Sequence, residues 1–248
     1  MGETVVEVMN VLKAFEGHEV LRGVSLALEK GTTLAVMGGS GQGKTVLLRL
    51  IAGLVKPDAG VVRLFGTDLV PLREEQMLRL RRRTGFVFQA AALFDSLSVY
   101  DNVAYPLREH TRIRENEIAN RVGTLLSLVG LPGTESLLPA ELSGGMRKRV
   151  GIARALVLEP EVVLYDEPTV GLDPGNAKLV IDLITQLRGG VCDTAIVVTH
   201  DVEFVRRMAD QMAILHEGQV AAVGTPEEIL NSDVASVRAF LTGDVKAS

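Results

Sequence analysis

The sequence predicts an α/β fold, with a mostly parallel sheet flanked by helices, an antiparallel β part at the N-terminus and a helical subdomain inserted in the middle. Three observations carry this. Thr33-Leu34-Ala35-Val36-Met37 is a short apolar run leading into a glycine-rich loop, after which Val46, Leu47, Leu50, Ile51 and Leu54 fall at helical spacing. Residues 162–165 and 195–198 are continuous apolar runs, the pattern of parallel strands covered on both faces. Between these blocks Ile118, Val122, Leu125, Leu126 and Val129 repeat with a helical period, and Gly130 and Pro132 supply stop signals.

Along the chain, residues 4–9 and 24–28 read as strands, with Glu16-Gly17-His18-Glu19 as a turn between them. Pro57-Asp58-Ala59-Gly60 ends the helical stretch after the loop, and residues 60–64 form another strand. Residues 73–83 read as a short charged helix, and Gly85-Phe86-Val87-Phe88 as a strand that delivers Gln89. Residues 90–158 read as helical, the last helix opening at Ser143, a good N-cap, and running to about Leu158. Alternation then resumes, with helices over 179–187 and 202–208 and a closing hairpin, 213–215 with 220–223, around Glu217-Gly218. A pair of short helices and a polar tail end the chain. Without an internal repeat or a low-complexity linker, the 248 residues read as one domain, with 90–158 inserted in its core and 225–248 as a short tail.

Composition narrows the function classes. Charged residues make up 23% and the formal net charge is −5, so no basic excess argues for a nucleic-acid partner. Arg79, Arg81, Arg82 and Arg83 form a local cluster that reads as a solvated helix face. No stretch approaches the roughly 20 apolar residues of a membrane span, and the N-terminus lacks a signal-peptide pattern. A soluble, intracellular chain is expected, so a membrane role needs a partner. The single cysteine, Cys192, excludes an internal disulfide.

Chemistry concentrates at three places. Gly38-Gly39-Ser40-Gly41-Gln42-Gly43-Lys44-Thr45 fits G-x-x-x-x-G-K-[ST] in the strand–loop–helix context the motif needs. Its glycines let backbone N–H groups turn toward a polyphosphate, and the helix start, through Val46, adds partial positive charge. Lys44 is placed to reach the β- and γ-phosphates and Thr45 to offer its hydroxyl to Mg²⁺. Strand 162–165 ends in Asp166 and Glu167, two carboxylates at a strand's carboxyl end, where open α/β sheets bind ligands. Asp166 suits Mg²⁺, and Glu167 is placed to polarise an attacking water. Leu142-Ser143-Gly144-Gly145-Met146 opens a helix with an N-cap and a glycine turn, an anion-binding arrangement.

Taken together, these three motifs resemble the signature set of ATP-binding-cassette (ABC) ATPases, and the resemblance covers essentially the whole chain. It implies a P-loop NTPase core of the ABC ATPase type. By that resemblance Phe15 matches the aromatic that stacks on adenine, where Tyr is more usual. Gln89 matches the loop glutamine that contacts metal and water while sensing the transport partner. Gly171-Leu172-Asp173 matches the loop that couples two sites, and His200 the histidine that bonds the γ-phosphate. The cofactors implied are ATP and Mg²⁺. The resemblance also implies that Ser143 and Gly145 of one protomer cap the nucleotide held by another, so hydrolysis requires a dimer with two ATPs at its interface.

Residues 88–94 and 98–110, with the run Asn102-Val103-Ala104-Tyr105-Pro106-Leu107-Arg108-Glu109-His110, lie just after Gln89. In ABC transporters that surface receives the coupling helix of a membrane permease. The run looks like MlaF-type ATPases, which power phospholipid trafficking with MCE-domain proteins in bacteria and have plastid relatives. Ala90-Ala91-Ala92 departs from the more polar residues often found there. That likeness implies a permease, an MCE-domain lipid-binding protein and a small STAS-domain regulator as partners, on the cytoplasmic face of the bacterial inner membrane. Two alternatives stay open: an importer ATPase for amino acids or another small solute, and a soluble, non-transport ABC ATPase acting as a regulator or scaffold.

Overall fold

A computed structural model of the chain describes residues 2–242. In chain order it contains strands β1 (Thr4–Phe15), β2 (His18–Glu29) and β3 (Thr33–Met37), helix α1 (Lys44–Ile51), strands β4 (Ala59–Leu64) and β5 (Thr67–Asp68), and helix α2 (Glu74–Arg81). Strand β6 (Thr84–Val87) and helices α3 (Val99–His110), α4 (Glu115–Leu128) and α5 (Gly144–Leu156) follow, then β7 (Val162–Asp166) and α6 (Pro174–Leu187). Last come β8 (Ala195–Val198), α7 (Val202–Met208), β9 (Gln211–His216), β10 (Gln219–Gly224), α8 (Pro226–Leu230) and α9 (Ala235–Thr242). Two compact units divide the chain, one made of Met1–Arg81 with Asp193–Ser248, the other of Arg82–Cys192.

In the first unit an antiparallel sheet runs in the order β2-β1-β4-β5. Strands β1 and β2 are longer than their apolar patterns suggest because the register slips between Val8 and Val11, where Asn10 takes φ 49°. Such a bulge lets Val8 and Val11 both face the core although their spacing breaks strict alternation. The turn shrinks to Glu16-Gly17, both with positive φ, as a tight two-residue hairpin requires. Beside this sheet in sequence, β3 pairs in parallel with β8 and with β9, and β10 closes the edge antiparallel to β9. Every residue of β3 and β8 is buried, which is why both read as unbroken apolar runs. Met37, Met212, Ile214, Val205, Ile229 and Val237 join one core cluster that seats α7, α8 and α9. Each such side chain contributes on the order of 1.5–3 kcal/mol by leaving water. In the arginine cluster Arg79, Arg82 and Arg83 are exposed, as a solvated face requires, and Arg81 alone is half-buried. Arg81 donates to the carbonyls of Ala52 and Gly53, 3.4 and 2.7 Å away, and so ties the end of α2 to the C-terminal turn of α1.

In the second unit β6 and β7 pair in parallel, Val87 opposite Tyr165. Helices α3, α4 and α5 pack on one another, and Val103, Leu107, Val122, Leu126, Val150 and Ile152 fill the space between them. Ser143 caps α5 by accepting from the Met146 N–H at 3.2 Å, so this helix starts where expected; it ends at Leu156. Residues 90–98, expected to be helical, form a loop instead. Two features enforce it. Ala91 and Ala92 sit at φ 61° and 48°, and the Arg154 guanidinium holds their carbonyls, each at 2.8 Å. Asn102, fully buried on α3, accepts from the Phe94 N–H and donates to the carbonyls of Phe94, Leu97 and Ser98. One side chain thus replaces the hydrogen bonds a helix would have made. The end of the expected polar tail, residues 243–248, lies outside the described residues.

Replacing Asn102 with Leu takes this partner from the Phe94 N–H and the Leu97 carbonyl, while the Phe94 and Ser98 carbonyls keep the Leu97 and Asn102 N–H groups. The variant Asn102→Leu should lose about 2–3 kcal/mol of stability, read as a lower urea midpoint at unchanged slope.

Candidate active site

The first unit carries Phe15, the loop 38–46 and His200. Strand β3 delivers the loop and α1 receives it. Gly43, at φ 92°, is the N-cap and supplies no side-chain hydrogen bond, so the first turn of α1 presents its backbone N–H groups forward. Gly38 admits no side chain: a Cβ there would stand 2.3 Å from the Leu215 carbonyl oxygen of β9. The Lys44 ammonium is buried and donates to the carbonyls of Gly38 and Gly39 at 2.9 and 3.0 Å, folding the lysine back over its own loop. Gln42 turns away and accepts from the Glu217 N–H in the β9–β10 turn. Ser40 and Gly41 are exposed, and Thr45 and Val46 are half-buried. Parallel pairing sets Val36 opposite Val198, so His200, two residues past Val198, leaves the same strand edge as Gly38. Its side chain is exposed. Phe15 stands exposed at the hairpin tip with the Lys13 ammonium 5.1 Å from its ring centre, and Val20 and Leu21 of the same hairpin lie against Gly43.

The second unit carries Gln89, Ser143, Gly144, Gly145, Asp166, Glu167 and Asp173. Pairing of Val87 with Tyr165 brings Gln89 and Glu167 out at the same strand edge, two residues beyond the last pair. Asp166 and Glu167 are buried, and Glu167 bends the backbone into the left-handed region at φ 45°. Gly145 lies so close to α6 that a Cβ would stand 2.5 Å from the Asn176 side-chain oxygen. Asn176 is itself held by Asp173, which caps α6 through the Asn176 N–H at 3.1 Å and accepts from its side-chain amide at 2.6 Å. These bonds hold the Asp173 carboxyl below the usual carboxylate range. The structure therefore joins the signature glycine and Asp173 through one asparagine, a link with no signal in the sequence.

A residue absent from the sequence reading stands at the centre of this unit. Lys148, on α5, is buried and donates to the backbone carbonyl of Gln89 and, at 3.3 Å, to that of Glu167. Burial draws its ammonium pKa down from the ordinary lysine value, while the Asp166 and Glu167 carboxylates pull the other way. The same unit carries a groove of about 320 Å³ lined by Phe86, Phe88, Phe94, Tyr105, His110 and Arg154. Phe94 and Tyr105 are both exposed, their rings 5.0 Å apart, and the Arg154 guanidinium lies 5.9 Å from the Phe94 ring centre. Among the described residues no three or more His, Cys, Asp or Glu side chains gather into a metal cluster.

Known proteins match both the sequence and the fold. The chain is 40% identical over 98% of its length to the intermembrane phospholipid transport system ATP-binding protein MlaF of Haemophilus influenzae, covering 92% of that protein. It is also 40% identical over 96% of its length to the probable ribonucleotide transport ATP-binding protein mkl of Mycobacterium leprae, covering 69% of that one. Among solved structures, a dimeric post-hydrolysis state of an ATP-binding cassette bound to ADP and Pi superposes with a TM-score of 0.83 at 30% identity, covering 89% of this chain and 98% of the other. The ABC transporter family matches residues 21–170, which span the phosphate loop, the glycine signature and the paired carboxylates. The chain belongs to the ABC transporter family.

Proposed function

We propose that this chain is the ATP-hydrolysing subunit of a phospholipid transporter, working as a dimer through a separate membrane permease at the cytoplasmic face of the bacterial inner membrane. One observation carries the cargo: the likeness to the Haemophilus protein runs through 98% of this chain and 92% of that one. The ribonucleotide reading has a specific observation too, the equal identity to the mycobacterial protein, although the chain spans less of it. Among the described residues no helix is long and apolar enough to cross a membrane, so translocation falls to another subunit. The aromatic groove of the second unit offers that subunit a seat, since apolar walls with one cation suit a short amphipathic helix. An MCE-domain lipid-binding protein and a STAS-domain regulator complete the proposed assembly, and the whole chain acts as one ABC ATPase domain.

Hydrolysis needs positioning and charge neutralisation more than covalent chemistry. Residues 38–46 take the phosphates: the N–H groups at the start of α1 point at them, and Lys44 trades the Gly38 and Gly39 carbonyls for phosphate oxygens. Phe15, already exposed, stacks on the base. The hydroxyl of Thr45, the carboxylate of Asp166 and the side-chain oxygen of Gln89 are hard oxygen donors of the kind Mg²⁺ takes alongside phosphates. When bound, that ion neutralises phosphate charge. Glu167 accepts the proton of the attacking water, and His200 donates to a γ-phosphate oxygen. Ser143, Gly144 and Gly145 of the second copy cap that phosphate, while Asp173 relays between the two sites.

Changing Glu167 to Gln keeps shape and removes the base. The variant Glu167→Gln should bind ATP within about threefold of the parent and still dimerise on ATP, while turnover falls by roughly 10²–10⁴-fold. Near-normal turnover would remove Glu167 from that role. For the cargo, the chain isolated from its native membranes in mild detergent should bring down a permease, an MCE-domain protein and phospholipid, identified by mass spectrometry. A nucleotide or other small-solute permease would overturn the lipid reading, and the absence of any membrane partner would overturn transport itself.

A further inference from the structure

We infer that Lys148 is a positioning residue for ATP hydrolysis, locking the backbones of Gln89 and Glu167 onto the helix that Ser143 opens. The inference rests on Glu167 as the base. Lys148 is only 6% exposed, and its Nζ reaches two carbonyls from different segments, 59 and 19 residues away in the chain. Both carbonyls belong to residues whose side chains meet the nucleotide or its water. Each segment has only a local turn of its own, Ala91 N–H to the Phe88 carbonyl at 2.9 Å and Val170 N–H to the Glu167 carbonyl at 3.3 Å, and neither turn reaches the other segment. Gln89 starts a loop without regular structure, and Glu167 sits at φ 45°, a conformation a side chain-bearing residue adopts only when its surroundings impose it. An ammonium on a four-carbon arm can donate to two acceptors at once, and burial makes each bond stronger than it would be in water.

The rest of α5 makes the attachment rigid. Lys148, Gly151, Arg154 and Ala155 share one helix face at spacings of three and four. Gly151 leaves room for Ala91, whose Cβ would lie 3.3 Å from any side chain there. Arg154 then takes the carbonyls of Ala91 and Ala92. The loop from Gln89 to Ala92 thus meets one face of the helix at three points, Lys148, Gly151 and Arg154. At its far end the same loop supplies Ala92 and Phe94 to the aromatic groove. Lys148 is the point in this series where the loop meets the base, so its loss should misplace Glu167 and Gln89 without touching the phosphate loop.

The test uses the full chain. The variant Lys148→Met keeps the arm and removes the donors; its kcat should fall about tenfold or more while ATP affinity, measured directly by titration, stays within about twofold. Lys148→Arg, whose fork can also span two carbonyls, should return kcat to within about threefold of the parent. A residue that only supports folding would lower the fraction of nucleotide-binding sites, not turnover per occupied site. If Lys148→Met does not fold, Lys148→Gln on a shorter arm carries the test, with kcat expected to drop about threefold or more at unchanged affinity. Parental kcat per bound nucleotide in Lys148→Met or, where that does not fold, in Lys148→Gln, or a loss of ATP affinity as large as the loss of kcat, overturns the inference. Glu167→Gln alone separates the two readings: if it retains turnover the base falls, whereas if it is inactive and Lys148→Met is not, only the lysine's role falls.

Discussion

Buried parallel strands that end abruptly in polar residues are the constraint on which each half of this molecule depends. Strands β3, β7 and β8 are buried along their whole length, so their backbones must be fully paired and their register is not negotiable. That rigidity is passed on to whatever follows the last residue. Gly38 follows β3, His200 comes two residues after β8, and Glu167 comes directly after β7. Each emerges at a carboxyl edge with little freedom. A loop with the same residues on a mobile scaffold would carry the same chemistry with far less effect, because phosphoryl transfer rewards placement.

Around those edges the polar groups are held by their own neighbours. Lys44 lies on two carbonyls of its loop, Asp173 and Asn176 hold each other beside Gly145, and Lys148 joins the Gln89 and Glu167 backbones. Buried donors and acceptors are satisfied internally, at the cost of ordering several segments at once. Lys44 shows the pattern most plainly, its ammonium resting on the Gly38 and Gly39 carbonyls at the start of α1.

Helix α5 has the broadest reach of any element in the second unit. Its first residues form the glycine signature, its middle carries Lys148 and Gly151, and its last turn carries Arg154 beside the aromatic groove. A partner pressing on Phe94 or Tyr105 would therefore act on a loop already bolted to the signature helix. Rigid elements transmit small displacements where soft loops absorb them.

Much of this was legible in the residues alone. The phosphate loop, the acidic end of β7 and the cap at Ser143 are short contiguous signals, and each follows from local chemistry: glycine tolerates positive φ, a hydroxyl caps a helix, and unbroken apolar runs are buried strands. Charge, the single cysteine and the lack of a long apolar run set the class by composition. What local pattern could not decide were the contacts between distant segments. The loop over 90–98 has an alanine run that suits a helix, and it is not helical because Asn102 and Arg154 supply competing hydrogen bonds from α3 and α5. Likewise Lys148 looks like an ordinary helix cation, since one of its acceptors lies 59 residues away and backbone carbonyls leave no mark in sequence. Sequence by itself determined which chemistry the chain carries, because residue type and spacing encode it. Only the tertiary structure decided which backbone atoms hold that chemistry in place, because those bonds depend on folding, not on neighbours in the chain.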